Sequence, residues 1–329
     1  MILCWRGDDN LIIKPYSPSK YVARMADLIE RLSPQHPQYT RISKEIGAIK
    51  AGDYGEEVIY KVLEQMKIPY KCYIFHKVFL FAEFAFELDF LIITPYGVVI
   101  LEVKNIIGEL EFSTNPSQLI QRKEDGRITK YPCPANQLNE YKYQLSQFFL
   151  QYNISVPIHG VVIFASRNSF VKHSVSGVKI MYRNEMRSYL RHFPENSSTL
   201  SQEEMEKIKE VILRSTYSPP SIPLIEHFSI SLKDLKLGVK CESCGFIGMQ
   251  KIARTWYCPT CKENNSYAHK KAVSTYFSLC KETITNKECR EFLLLNNRYE
   301  AKRILSSSDL VKYGKGSNTY YTNYSSKKC

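Results

Sequence analysis

The chain has 329 residues, 44% hydrophobic and 24% charged, an ordinary globular composition with room for two or three domains. No apolar run approaches the roughly 18–20 residues that span a bilayer. Met1–Asn10 sets Arg6, Asp8 and Asp9 where a secretory signal needs an apolar core, so neither a membrane role nor secretion is expected and the cytoplasm is the expected compartment. The net charge of +12 favours a polyanionic partner, nucleic acid before membrane, because no basic amphipathic anchor stands out.

In chain order, Ser19–Leu32 shows mild helical periodicity, broken by Ser33-Pro34 and His36-Pro37. A stronger helix is predicted from about Gly52 to Met66. Strand-like runs follow at Tyr70–Phe81, Glu87–Ile93 and Val98–Lys104, the last two rich in β-branched and aromatic residues. Pro134 opens a helix to about Tyr152, with Leu138, Tyr141, Leu145 and Phe148 on one stripe. Val161–Ala165 reads as a buried strand. This order predicts an α/β sandwich around a mixed sheet. Ser201 with Glu204 makes a capping box for a further helix, and Ser218-Pro219-Pro220-Ser221-Ile222-Pro223 reads as a linker.

The segment from Glu87 to Lys104 carries the chemistry. A four-residue turn at Thr94–Gly97 pairs Ile93 with Val98, and counting outward sets Asp89 opposite Glu102 and Glu87 opposite Lys104. Cross-strand side chains stand about 5 Å apart, so Asp89 and Glu102 could share one cation. Hard carboxylate oxygens suit Mg²⁺ or Mn²⁺, which would activate a water and offset charge in phosphodiester cleavage, with the Lys104 ammonium beside it. The bland alternative is a set of solvated charges at a hairpin end. A second acid-x-lysine, Asp234-Leu235-Lys236, has no paired acid and no strand before it, and is discounted. On the helix, Glu56 shares a stripe with Ile59, Leu63 and Met66, so an acid lies on the core-facing side, where a metal site or a buried salt bridge would partner it. Glu57 joins Tyr60, Lys61 and Glu64 on the wetter side.

Together these residues resemble the nuclease-related domain (NERD) family, a branch of the PD-(D/E)xK restriction-endonuclease-like group. The likeness lies in Gly52-x-x-Gly55-Glu56, the Asp89 strand, Gly97 and the apolar strand ending Glu102-Val103-Lys104-Asn105, Gly108, Pro134-x-x-Gln137, and the strand at Gly160–Ala165, over roughly residues 47–170. The resemblance implies a restriction-endonuclease-like mixed sheet flanked by helices. It makes Asp89 and Glu102 the Mg²⁺ or Mn²⁺ ligands, Lys104 the catalytic lysine, Glu56 an auxiliary acid and Gln137 a residue that orients the site. Cys133 departs from the family, which often has Asn there. Such nucleases often pair to cut both strands, so a homodimer is admissible, although no dimer seam is legible.

Of ten cysteines, six (Cys4, Cys72, Cys133, Cys280, Cys289, Cys329) are scattered and read as reduced thiols. The other four form Cys241-x-x-Cys244 and Cys258-x-x-Cys261, with Gly245 supplying a sharp turn; four thiolates at this spacing predict a closed structural Zn²⁺ site. His269 is then surplus to the shell and read as solvated. Lys251, Arg254, Trp256 and Tyr257 set basic and aromatic groups between the pairs, either for nucleic acid or, for Trp256, to pack the ribbon.

Residues 270–329 hold 12 Lys and Arg against 5 Asp and Glu. Helices are predicted at about Tyr267–Cys280, from a Thr285/Glu288 capping box through Leu294, and at Arg298–Leu305, with Ala301, Ile304 and Leu305 inward. Leu310–Tyr313 and Thr319–Tyr321, joined through Gly314-Lys315-Gly316-Ser317-Asn318, read as a basic hairpin. This looks like a winged helix, with Arg298, Lys302, Arg303, Lys312 and Lys315 touching DNA. The expected division is a helical lead-in (1–46), the nuclease-like domain (47–218), a linker (219–235), the zinc ribbon (236–266) and a small winged-helix-like α+β domain (267–329). The expected activity is metal-dependent cleavage of nucleic acid, DNA first, with no small-molecule cofactor. The alternative is a catalytically idle nuclease fold acting as a nucleic-acid-binding adaptor.

Overall fold

A computed structural model of the chain describes residues 10–174, 177–193, 199–217 and 222–323; the start of the chain and Ser218–Ser221 of the expected linker lie outside them. In order the elements are β1 (Asn10–Lys14), α1 (Lys20–Arg31), α2 (Tyr39–Gln65), β2 (Cys72–Phe81), β3 (Ala85–Thr94), β4 (Gly97–Lys104), β5 (Gly108–Thr114), β6 (Ser117–Arg122), β7 (Ile128–Pro132), α3 (Pro134–Leu150), β8 (Ile158–Phe164), β9 (Ser169–His173), β10 (Lys179–Tyr182), α4 (Met186–Arg191) and α5 (Gln202–Ser215). Then come α6 (Leu224–His227), β11 (Val239–Lys240), β12 (Ile247–Ile252), β13 (Thr255–Tyr257), β14 (Asn264–Asn265), α7 (Ala268–Leu279), β15 (Thr283–Thr285), α8 (Asn286–Leu293), α9 (Arg298–Ser307), β16 (Leu310–Tyr313) and β17 (Tyr320–Asn323). The described parts fall into two compact units, Met1–Pro18 with Lys50–Pro219, and Ser19–Ile49 with Pro220–Cys329. Among the described residues no helix is long and apolar enough to cross a membrane.

The first unit is the expected mixed α/β sandwich. Its six-stranded sheet runs β1-β2-β3-β4-β8-β10, with antiparallel β2-β3-β4 at the centre and parallel pairs outside them. One face packs Leu91, Ile93, Val98 and Ile100 against Leu138, Leu145 and Phe148 of α3 and Met205, Ile208 and Ile212 of α5. The other packs Ile74, Phe90, Ile92 and Val99 against Ile59 and Leu63 of α2 and Met186 and Leu190 of α4. A smaller sheet, β7-β6-β5-β9, grows largely from the chain between β4 and α3. The capping box at Ser201 and Glu204 is formed. Helix α2 begins at Tyr39, well before Gly52: its first turns belong to the second unit, where Ile42 is buried and Ile46 and Ile49 pack against the core, so no single stripe runs its length.

The β3–β4 turn is built as expected. Thr94 pairs with Gly97 and Ile93 with Val98, and the Thr94 hydroxyl donates to the Gly97 carbonyl at 2.8 Å. Gly97 has φ +120°, and a Cβ there would lie 2.4 Å from the Pro157 carbonyl oxygen, so only glycine fits. The pairing holds to Phe90–Leu101 and then stops. Beyond it β4 continues beside β8, where Glu102 pairs with Val162 and Lys104 with Phe164, while β3 stays with β2.

The cause lies on β2. Lys77 takes a left-handed φ of +50°, and the β2–β3 pairing passes from His76–Phe90 to Val78–Leu88 without a Lys77–Asp89 bridge. Side-chain alternation changes phase there on both strands: Phe75, Val78, Leu91 and Leu88 all join the same core cluster. Strict period-2 counting therefore fails past Phe90. Glu87 is not opposite Lys104; it pairs with Phe79 of β2, remains exposed, and feels the charges of Lys77, Glu56 and Lys14.

In the second unit β11-β12-β13-β14 form a small antiparallel sheet, and β15-β17-β16 form another beside α7, α8 and α9. Cys241, Met249, Trp256 and Cys258 share one core with Tyr276, Phe292, Ile304 and Tyr321. The Thr285/Glu288 capping box is present, and α9 buries Ala301, Ile304 and Leu305. Asp234 serves the short helical turn Leu232–Asp234 by accepting from the Ser231 N–H, which accounts for the second acid-x-lysine structurally.

Candidate active site and cysteine cluster

Four of the five predicted catalytic side chains meet where β3 and β4 part. Asp89 Oδ2 accepts from the Val103 N–H at 2.7 Å, so its carboxylate fills the gap left by the ended ladder. Lys104 Nζ donates to Glu102 Oε1 at 2.6 Å and to Gln137 Oε1 at 3.0 Å. Gln137 is held in turn: its Nε2 donates to the Tyr141 hydroxyl at 2.8 Å. Tyr141 stands one turn on from Gln137 on α3, an i,i+4 spacing that the sequence displays. Cys133 is the N-cap of α3 and gives no side-chain cap; the helix start is secured by Pro134 and by the Gln137 N–H to the Cys133 carbonyl.

Glu56, the fifth, belongs to a neighbouring cluster that sequence reasoning did not reveal. It is 8% exposed, beside Ile59 and Leu63 as its stripe predicts. Its Oε2 lies 2.7 Å from His76 Nε2 and 3.2 Å from Lys77 Nζ, and Lys77 Nζ also lies 2.7 Å from Asp53 Oδ1. With the Ser17 N–H aimed at Nδ1 of His76 at 3.3 Å, the ring proton sits on Nε2 and is donated to Glu56. Glu57 forms the outer-face pair with Lys61 at 2.6 Å. Gly55 lets α2 approach the end of β4, because a Cβ there would meet Asn105 Cβ at 2.6 Å; nothing lies near Gly52 to require glycine.

The acids are electrostatically strained. Burial, then the charges of Glu102 and Glu56, push the Asp89 carboxyl well above the usual range against the pull of Lys104. Burial also raises Glu102, with Lys104 opposing. Glu102 is 1% exposed, and its Oε2 is buried with no hydrogen-bond partner. An orphaned carboxylate oxygen beside a second strained carboxylate fits a hard divalent cation. Two protein carboxylates suffice for Mg²⁺, which keeps several waters and takes substrate phosphate oxygens.

The cysteines form the second candidate site. Their sulfurs all lie within 4.8 Å of one another, and among the described residues no other set of three or more His, Cys, Asp or Glu meets that criterion. Cys241 and Cys261 sulfurs are 3.6 Å apart and Cys244 and Cys258 3.5 Å, too far for disulfides. Sulfurs bound tetrahedrally at about 2.3 Å to one Zn²⁺ lie about 3.8 Å apart, so the cluster can hold a structural metal ion. Each knuckle closes on a left-handed residue, Gly245 at φ +77° and Lys262 at φ +64°. Burial pushes the Cys258 thiol up, but the Cys261 and Thr260 amides and neighbouring thiols outweigh it and bring it down to about 6. Trp256 is 1% exposed and packs the ribbon; its indole N–H donates to Nδ1 of His269 at 3.2 Å, so His269 is a half-buried partner of Trp256 rather than a solvated residue.

Arg298, Lys302, Arg303, Lys312 and Lys315 are all exposed. The first three lie on α9 and the others on or just after β16. Lys251 of β12 feels the charges of Glu300 and Arg303, so the ribbon lies beside α9.

Residues 51–165 match the nuclease-related domain family. Neither a curated protein nor a solved structure matches the chain. Residues 51–165, from within α2 to just past β8, thus carry the likeness to the nuclease-related (NERD) domain, with the strained carboxylates at the parting of β3 and β4 inside the matched stretch.

Proposed function

We propose that the protein hydrolyses phosphodiester bonds in nucleic acid, DNA before RNA, with Asp89 and Glu102 holding Mg²⁺ or Mn²⁺. The observation that carries the reading is the buried, partnerless Oε2 of Glu102 beside Asp89 and Lys104. The cation, when bound, supplies Lewis acidity to a phosphate oxygen and lowers the pKa of a bound water. Lys104, held by Glu102 and Gln137, would present its ammonium to the attacking water or the phosphoryl oxygens. Gln137, fixed by Tyr141, keeps Lys104 oriented. The Val103 N–H holds the Asp89 carboxylate in place.

Binding falls to the second unit. The order helix, strand, helix, helix, strand, strand, with sheet order β15-β17-β16, supports a winged helix, in which α9 enters a groove and the 314–319 turn reaches phosphates. The cysteine cluster holds Zn²⁺ and stiffens this unit. The test is cleavage of supercoiled and single-stranded DNA by purified protein with Mg²⁺ or Mn²⁺. Lys104→Ala and Asp89→Ala should each lower the rate by a factor on the order of 10² or more. Wild-type protein that binds DNA in a salt-sensitive way yet cuts nothing with either metal would instead favour the idle-fold adaptor.

A further inference from the structure

The cluster of Asp53, Glu56, His76 and Lys77 lies outside the Asp89–Glu102–Lys104 set, and its geometry is unusual. Neighbouring residues on a strand point to opposite faces. His76 and Lys77 are neighbours on β2, yet both reach Oε2 of Glu56, at 2.7 and 3.2 Å. The left-handed φ of Lys77 brings this about. A non-glycine residue in that region is strained, and such strain persists where surrounding structure enforces it. The Lys77–Asp89 bridge is missing at the same place, and the Asp89 carboxylate accepts instead from the Val103 N–H. One strained residue thus neutralises one pair of acids.

Charge balance gives this a consequence for the metal. Counted by acids alone, Asp53, Glu56, Asp89 and Glu102 could hold two divalent ions, as two-metal phosphodiesterases do. Lys77 already lies against Asp53 and Glu56, and Lys104 against Glu102. Glu87 feels Lys77 and, less strongly, Lys14, and counting it together with Lys14 adds one charge of each sign and leaves the balance unchanged. Four carboxylates against two ammoniums leave two negative charges, which one divalent ion cancels.

We propose that Lys77 is a built-in cation occupying the position of a second metal, so that the site takes a single divalent ion. The inference rests on the reading of Asp89 and Glu102 as metal ligands. Glu56 is then a carboxylate that shapes the field at the site without ligating, and His76 is a positioning residue that keeps it turned to Lys77.

The experiment counts ions. Full-length, zinc-loaded protein is titrated with Mn²⁺ by calorimetry, with free Mn²⁺ followed by electron paramagnetic resonance. Wild type should bind one Mn²⁺ per chain. Lys77→Gly, which suits the left-handed backbone and removes the ammonium, should bind two; Lys77→Met serves as a second variant, and Lys77→Arg should keep one. Glu102→Gln should lose the wild-type ion. Two ions in wild type, or one in both Lys77→Gly and Lys77→Met, would overturn the inference while leaving the nuclease reading intact. No Mn²⁺ bound by folded wild type would sink both.

Discussion

Removing the metal from the cysteine cluster should unfold the second unit rather than loosen one loop. Trp256, Met249, Cys241 and Cys258 are buried in the same core as Tyr276, Phe292 and Ile304, so the ribbon is part of that unit's interior. Structural Zn²⁺ in small cysteine sites contributes about 10–16 kcal/mol at neutral pH. A domain is stable by only about 5–15 kcal/mol. Loss of the ion therefore removes most or all of the unit's stability. The assay uses the chain's two tryptophans, Trp5 and Trp256. In a Trp5→Phe background, emission reports Trp256 alone. Treatment with a strong zinc chelator, or Cys258→Ser, should shift that emission to the red, abolish one thermal transition, and release one Zn²⁺ per chain to a chromophoric chelator. Added Zn²⁺ should restore the chelated wild type. A metal-free protein with blue-shifted Trp256 emission and an unchanged melting profile would refute the reasoning.

Two further outcomes are expected in the same unit. Glu288 is partly enclosed, which raises its carboxyl, but Lys281 and the Thr285 amide and hydroxyl outweigh that and hold it below its ordinary value of 4.5. A depressed carboxyl stabilises the fold above the ordinary value and loses that contribution as pH falls through the folded value. Glu288→Gln should thus cost about 1 kcal/mol at neutral pH and little well below the ordinary carboxylate range; urea midpoints across pH check this, and a pH-independent penalty would rule it out. Replacing both Arg298 and Lys302 with alanine should weaken DNA binding and flatten its logarithmic salt dependence by about 2, roughly 0.9 for each phosphate that no longer has a cation beside it. An unchanged slope in filter binding would remove these side chains from the interface.

Local chemistry was the most legible part of the sequence. The capping boxes at Ser201 and Thr285, the Thr94–Gly97 turn and the inward stripe of α9 depend on neighbours a few residues away, and all are formed. The turn also fixed the β3–β4 pairing as far as Phe90–Leu101. What defeated the count beyond that was Lys77, on a strand outside the hairpin, whose backbone conformation no local pattern announces. The small sheet was hidden for another reason. Strands β5–β7 mix Glu109, Glu111, Arg122 and Lys130 with few apolar residues, so their period-2 signal is weak. The clamp on Glu56 was visible only as polar residues interrupting an apolar run, His76-Lys77, and as an acid one turn before Glu56. Nothing in the sequence says that these meet.

The two candidate sites differ in how they treat local rules, and the difference bears on what each is for. At the cysteine cluster the backbone follows local rules: turns close on left-handed residues, and backbone amides at Thr260 and Cys261 favour the Cys258 thiolate. Such a site is a staple. At the parting of β3 and β4, the violations accumulate within one corner. Lys77 is strained, a ladder ends early, two carboxyls are raised, and a buried oxygen of Glu102 has no partner. A purely structural ion pair would not require this, since apolar residues of similar volume commonly replace buried pairs without loss of stability. Violations concentrated at one place mark sites where function overrides folding. Neutralising the corner needs a cation, and the lysines at Glu56 and Glu102 already limit how much charge that cation must bring.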